Sequence, residues 1–440
     1  MNEAMQDMDM TGDTTLATAG HRVVRLARAV HRKRTSCRAC GGRRLRMVVS
    51  LGQQPLANSL PRETSGFDHE AVFPLDAYFC DDCSLLQLLD VIDAQTLFRD
   101  YIYVTGTSST IAEHNERYAR AVIEQVGAGR NDLILEIASN DGSLLKCFTA
   151  YGVRTLGVEP ASNIAAMARA AGIETVNEFF DSGTAAALLR SHGPAKAVIA
   201  NNVLAHVDDT RDFLSGVRSV LAPDGYAIIE VPYLGELLGR LEYDTIYHEH
   251  LCYFSVTTLL RLADAVGLSV RRIDRVPVHG GSLRVFARPA SRDAGHDAAV
   301  LAIADQEERG GLTRPAAYER FAARVADSRT ALLALLNKLR DDGRTIAGYG
   351  APAKGNTLLN YCGIGTDLVD FTVDRNPLKV GRYTPGMHLP ILSVDALIER
   401  QPDYVLILAW NFADEIIAQQ TGYRARGGRF ILPIPEPRII

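Results

Sequence analysis

Residues 134–145 read ILEIASNDGSLL, and how this run divides decides the fold. The first four residues are apolar except for one acid, Glu136, and they close on Ala-Ser-Asn-Asp-Gly before a new apolar periodicity begins. A short apolar run bounded by turn residues reads as a buried strand, and the Asp-Gly pair marks the turn into a helix. The same unit recurs along the chain. RTLGVEP (154–160) is a strand followed by the helix SNIAAMARAAG, and IETVNEF is a strand followed by TAAALLRSHG. KAVIANNV (196–203) is a strand followed by TRDFLSGVRSVLAPDG, and YAIIEVP (226–232) is a fifth strand. Strands alternating with helices of this length imply a parallel sheet covered by helices. LSVRRIDRVP and GSLRVFARP are two further β-like runs that would form a terminal antiparallel hairpin.

The ends of these strands carry polar side chains suited to a ligand. The turn at 138–142 lacks the GxGxxG fingerprint, so a pyrophosphate on that helix N-terminus is not indicated. One glycine among polar residues suits a ligand without phosphates. Glu159 ends the next strand where acids hold ribose hydroxyls in dinucleotide folds, although a helix-capping acid reads the same way. Asn201, Asn202 and His206 follow at the end of the fourth strand.

Outside this core the chain offers two other blocks. CRAC (37–40) and FCDDC (79–83) place Cys37, Cys40, Cys80 and Cys83 in two CxxC turns, which together complete a tetrahedral four-thiolate site. Four thiolates leave no open coordination position, so the expected zinc is structural. A redox pair would need a βαβ setting that neither turn has. The remaining cysteines, 147, 252 and 362, read as small core residues, and an odd total of seven argues against a disulfide framework. After the helical stretch 298–340 comes AGYGAPAKGNTLLN (347–360), again a strand, a glycine-rich turn and a helix. Its Gly355, Lys354 and Asn356 offer amides and a cation to an anion, and the next strand ends at Asp374, with Lys379 beyond. A purely structural turn is the alternative.

Composition restricts the rest. The chain has 440 residues, 47 Lys+Arg against 52 Asp+Glu, and a net charge of −5, so no basic field favours nucleic acid. No apolar run is long enough to span a membrane. Residues 1–33 read as a flexible leader without a signal-peptide core, ending in the basic run RLARAVHRKR, a candidate surface helix. The expected division is 34–98 for the zinc block, 99–290 for the central α/β domain and 291–440 for a second Rossmann-like α/β domain. A cytoplasmic location fits the thiols, and the absence of an obvious coiled coil is compatible with a monomer.

One segment remains open on its own residues. YHEH (247–250) groups two histidines, an acid and an aromatic ring in a chain with 11 His. If extended, it would put His248 and His250 on one face and Tyr247 and Glu249 on the other. That leaves an HxH metal pair, a general base with helpers, or a polar strand end.

CxxC…CxxC, ExASNDGSLL, NNVLAHV, YHEH, HGGSLR (279–284) and GYGAPAKGNTLLN occur in this order. Together they resemble the nucleotide-sugar C-methyltransferases of antibiotic deoxysugar pathways, over nearly the whole chain from residue 37. The resemblance implies an N-terminal zinc domain, a central class I, seven-stranded S-adenosylmethionine-dependent domain, and a C-terminal domain that helps hold a dTDP-4-keto-6-deoxy sugar. It implies His250 as the base, with Glu249, Tyr247, His206 and Tyr101 as companions. With that reading the methyl-donor candidates are Glu136, Ser139, Asn140, Gly142, Glu159, Asn201 and Asp181, and the sugar-nucleotide candidates Lys354, Gly355, Asn356, Asp374 and Lys379; HGGSLR, with Ser282 and Arg284, either approaches the sugar or is a hairpin turn. Methylation of carbon 3 is favoured over carbon 5. The rivals are an O- or N-methyltransferase, which needs no enolising base, and a zinc-ribbon regulatory protein that binds nucleic acid.

Overall fold

A computed structural model describes residues 30–99, 109–277, 280–291 and 295–440. The expected leader up to residue 29, Tyr101 and His279 lie outside the described residues.

The strand that opens ILEIASNDGSLL, Leu133–Ile137, lies inside a seven-stranded sheet and is buried at every position. Burial on both faces is what a strand without alternation requires, because helices cover each side. Arg154–Val158 and then Thr175–Val176 lie on one side of it, and Ala195–Asn201, Leu221–Pro232, Ser282–Pro289 and Leu268–Val276 on the other. The chain therefore reverses direction at Leu133–Ile137, and a crevice opens at the carboxyl ends of that strand and of Ala195–Asn201. The last two strands do form the expected antiparallel hairpin. Its second strand inserts between the first and Leu221–Pro232, with Glu230 opposite Arg284.

The intervening helices start where the sequence supplies a cap. Asp181 accepts from the Thr184 amide at 2.7 Å and Asp209 from the Asp212 amide at 3.0 Å. Phe213, Leu214, Val217 and Val220 then form the buried stripe of Thr210–Val220.

The zinc block is a four-stranded antiparallel sheet in the order Cys252–Tyr253, Leu86–Leu88, Val72–Cys80, Leu45–Pro55. Its outermost strand is lent by the central domain and follows YHEH directly. Electrostatics reinforce this junction. The buried Arg38 donates from Nε to Asp208 at 3.0 Å, and Arg32 and Arg34 converge on the same carboxylate. Burial alone would raise the Asp208 pKa, but the three guanidinium groups outweigh it and hold the carboxyl below its usual range.

The first half of the basic run, residues 25–29, lies outside the described residues; Val30 is helical, and residues 31–33 form a strand against Asp90–Ile92, with His31 on Asp90 at 2.9 Å. One expectation is corrected. The 298–340 stretch is two helices, Ala298–Arg309 and Pro315–Asp341; Gly310 and Gly311 break it and Pro315 restarts it. Beyond them lies a six-stranded sheet centred on Ile346–Tyr349, parallel except for its last strand, Arg438–Ile439.

Candidate active site

Cys37, Cys40, Cys80 and Cys83 bring their four sulfurs within 4.8 Å of one another. A tetrahedral zinc with Zn–S of 2.3 Å puts its sulfurs about 3.8 Å apart, so the set fits the ion. The 3.4 Å and 3.6 Å separations of Cys37–Cys83 and Cys40–Cys80 are close to that figure. Among the described residues, no other group of His, Cys, Asp and Glu could hold a metal.

At the crevice the turn after Leu133–Ile137 is wound through left-handed backbone at Ala138, Asn140 and Gly142. This brings polar groups onto the carboxyl edge. Glu136 Oε2 and Ser139 Oγ are buried without a partner, as is Asn202 Oδ1 on the neighbouring strand end. Burial lifts the Glu136 pKa well above the carboxylate range, and Asp141 and Glu159 add to it. Orphaned buried polar atoms on one edge are what a bound amino acid or ribose would satisfy, so these residues fit S-adenosylmethionine. Beside them an open apolar crevice is lined by Ile137, Phe179, Phe180, Val203 and Val207, a setting for an adenine ring. Phe179 and Val203 were not singled out by sequence, where they look like core residues.

Other expected donor residues are engaged within the protein. Glu159 accepts from the Asn140 amide at 2.9 Å and from the Ala161 amide at 2.8 Å, bracing the turn. Asp181 is the helix cap already described, and Asn201 accepts from the Tyr118 hydroxyl at 3.0 Å. Space under the turn is tight. A Cβ on Gly157 would lie 2.4 Å from Ser139 Oγ and 3.0 Å from Ser139 Cβ. Gly157→Ala is therefore expected to push the turn off its seat and weaken S-adenosylmethionine binding about tenfold or more, within the usual cost of overpacking. Titration calorimetry giving unchanged affinity would refute this.

The YHEH segment is not extended. The His250 amide donates to Tyr247 carbonyl at 2.8 Å, closing a turn that separates the two histidines and removes the HxH pair. Tyr247 and His250 meet instead, with the Tyr247 hydroxyl 2.8 Å from His250 Nε2 and the ring centroids 4.0 Å apart. His250 Nδ1 lies 2.9 Å from the Thr245 carbonyl, and the His206 ring stands edge-on to His250 at 4.9 Å. Glu249 is buried and accepts from Asn58 at 2.6 Å, a partner supplied by the zinc block that sequence did not suggest.

His248 turns the other way. It packs on Phe73 beside the Pro74 carbonyl, and burial pushes its pKa down to about 4. A histidine neutral when folded loses stability as pH falls, because the unfolded chain takes the proton first. The loss should run from about pH 6.5 down to about 4. Glu242, lifted to about 7 by burial and Asp244, acts in the opposite sense, so the variant must isolate the histidine. His248→Gln should flatten the acid side of the Tm–pH curve relative to wild type. Parallel curves would show that His248 is not the titrating group.

The expected sugar-nucleotide residues divide. Ser282 is buried on the inserted hairpin strand, and Arg284 pairs with Glu230 at 2.5 Å over the Tyr118 ring. Lys354 lies 4.3 Å over the Trp410 ring, near Asp244 and Glu242; burial lowers its pKa. Asp374 accepts from the Ala351 and Asn376 amides, each at 2.8 Å, and Lys379 donates to the Ala351 carbonyl at 2.8 Å. Asn356 donates to the Ala57 carbonyl at 2.7 Å. The glycines serve close packing, since a Cβ on Gly355 would lie 2.7 Å from Leu408 Cβ.

Comparison with known proteins gives three consecutive matches. A zinc binding domain model covers residues 37–98, a methyltransferase domain model 111–273, and a C-methyltransferase C-terminal domain model 277–435. The C-methyltransferase NovU of Streptomyces niveus is 40% identical over 404 residues, 92% of this chain and 96% of that one. Solved structures resemble part of the chain. The 1,6-didemethyltoxoflavin-N1-methyltransferase of Burkholderia thailandensis is 20% identical, covering 41% of this chain and 80% of its own, with a TM-score of 0.31. The CurJ carbon methyltransferase is 15% identical, covering 42% and 56%, with a TM-score of 0.31. The first matched segment holds all four cysteines, the second the whole donor crevice and YHEH, the third the glycine-rich turn. With a relative of this identity along nearly its full length, the chain belongs to the C-methyltransferase family that its ordered motifs resemble, and S-adenosylmethionine and structural zinc are its cofactors.

Proposed function

We propose that the enzyme methylates a ring carbon next to the ketone of a dTDP-4-keto-6-deoxy sugar, at carbon 3, in a deoxysugar pathway of the cytoplasm. The observation that carries this reading is the pair of contacts on His250. The Thr245 carbonyl can only accept, so the proton of the neutral ring sits on Nδ1 and the lone pair on Nε2. That lone pair accepts from the Tyr247 hydroxyl. A base with a fixed tautomer and a phenol at the reacting nitrogen is what enolisation needs.

Nε2 takes the proton from the carbon beside the ketone, and the electron pair moves to the ketone oxygen. As the ketone docks, the Tyr247 hydroxyl turns from Nε2 to that oxygen, which frees the lone pair for the proton and places a donor on the developing enolate. Glu249 and His206 complete the sugar side. When bound at the crevice, S-adenosylmethionine supplies an electrophilic methyl group for the carbon. The chain's own part is orientation, since positioning of two reactants contributes several kcal/mol, about 7–11 in well-aligned systems.

The test uses S-adenosylmethionine with a ¹³C-labelled methyl and a dTDP-4-keto-2,6-dideoxyhexose. NMR of the product should show a methyl on a quaternary ring carbon next to the ketone. A methyl on carbon 5 would move the reacting position, and an O-methyl signal would reject the mechanism.

A further inference from the structure

The geometry points to Asn58 as a positioning residue for the reaction, holding the Glu249 carboxylate at the sugar side while its loop is braced by the glycine-rich turn of the C-terminal domain. This deepens the functional reading above and rests on it for the role of Glu249.

Four contacts define the arrangement. Asn58 Nδ2 donates to Glu249 Oε1 at 2.6 Å, a short bond to a carboxylate in a side chain that is only 4% exposed. One residue earlier, the Ala57 carbonyl accepts from Asn356 at 2.7 Å, and Asn356 is itself 1% exposed. Two residues later, Leu60 is buried with Ala351 and Ile391, and the Pro61 carbonyl accepts from the Tyr383 amide at 2.9 Å. The loop from the zinc block thus lies across the glycine-rich turn, with buried contacts on both sides of Asn58.

The turn itself is closed by its own residues. Asp374, in the place where a dinucleotide fold would present an acid to ribose, spends both oxygens on backbone amides, and Lys379 is spent on Ala351. A turn satisfied in this way is a rigid platform. Asn58 is carried by that platform to a carboxylate 191 positions away in sequence. A primary amide donates to a carboxylate without adding charge, and the bond holds Glu249 Oε1 in one orientation.

The experiment is a double-mutant cycle on the full-length, zinc-loaded enzyme, with Asn58→Ala, Glu249→Ala and the pair, read as kcat and KM for the ketosugar in the ¹³C-methyl assay. Loss of a hydrogen bond to a charged group is expected to lower kcat roughly ten- to a hundredfold. Zinc content and S-adenosylhomocysteine affinity should stay at wild-type values. In the Glu249→Ala background, Asn58→Ala should cost less than about threefold, because the partner it orients is already lost. Asn58→Asp, which sets a second carboxylate against Glu249, should lose more than Asn58→Ala. Losses that multiply in the double variant, or that come with lost zinc, overturn the inference and leave Asn58 a structural residue. A wild-type enzyme that methylates no ketosugar carbon overturns the functional reading, and the inference with it.

Discussion

His250→Ala should lower the turnover of carbon methylation by about 10²–10⁴-fold, roughly 3–5.5 kcal/mol, while leaving methyl-donor affinity within about twofold. The loss is expected to be large because the structure gives Nε2 no obvious substitute. His248, the other histidine of the segment, faces Pro74 and Phe73 on the zinc side and is held neutral by burial. His206 is close, but its ring meets His250 edge-on and belongs to a different segment, Leu204–His206. Donor affinity should survive because the orphaned Glu136, Ser139 and Asn202 atoms belong to the carboxyl ends of other strands. The measurement is single-turnover methyl transfer beside calorimetric binding of S-adenosylhomocysteine. Transfer left nearly intact would mean that no carbon acid is being deprotonated, and the oxygen or nitrogen reading would take its place. Tyr247→Phe separates the two partners, since it removes the donor but leaves the base. Its loss should be in kcat, by roughly 10²-fold, as for other groups that meet a developing oxyanion.

How far the sequence reveals this arrangement depends on the range of the forces that set each part. Leu133–Ile137, its turn and its helix are dictated locally, by an apolar run, a left-handed turn at Gly142 and a helical apolar face, so they are legible. The four cysteines are equally so, since the CxxC spacing carries its own geometry. The YHEH turn is not. Alternation of polar residues reads as extended chain, but the segment is clamped between Ala205, which accepts from the Leu251 amide at 2.8 Å, and the zinc sheet. That clamp turns His248 inward and folds Tyr247 onto His250, and nothing within ten residues announces it. Asn58 is hidden for the same reason, because PLANSL reads as an ordinary loop until Glu249 is brought to it. The glycine-rich turn misleads in another way. Glycines that let a phosphate approach and glycines that let Leu408 approach leave the same pattern in sequence.

Removing the zinc, by chelation or by Cys83→Ser, should abolish methyl transfer by about 10³-fold or more, although no ligand sulfur belongs to the methyltransferase domain. Structural zinc contributes folding energy directly, about 10–16 kcal/mol in small zinc-binding peptides, so its loss should unravel the four-stranded sheet. That sheet is where the YHEH turn ends. Cys83 is three residues before Leu86–Leu88, which pairs with Cys252–Tyr253, and the Leu88 amide donates to the Leu251 carbonyl at 3.0 Å. From Leu251 the path is short: its amide bonds Ala205, next to His206, and His250 precedes it in the chain. Thr258 Oγ1 also donates to the Cys83 carbonyl at 3.3 Å, and Arg261 to the Asp82 carbonyl at 2.7 Å. Losing the zinc turns therefore releases His250 and His206 together with the Asn58 contact to Glu249, and a displacement of about 1 Å at such groups already costs about 10²-fold. S-adenosylhomocysteine binding should persist, weakened by less than about tenfold, since Leu133–Ile137 and its turn lie on the other sheet. Metal analysis, single-turnover transfer and calorimetry on the same preparation decide the matter. Full turnover in metal-free protein would show that the sheet stands without its ion and that zinc has no part in aligning the base.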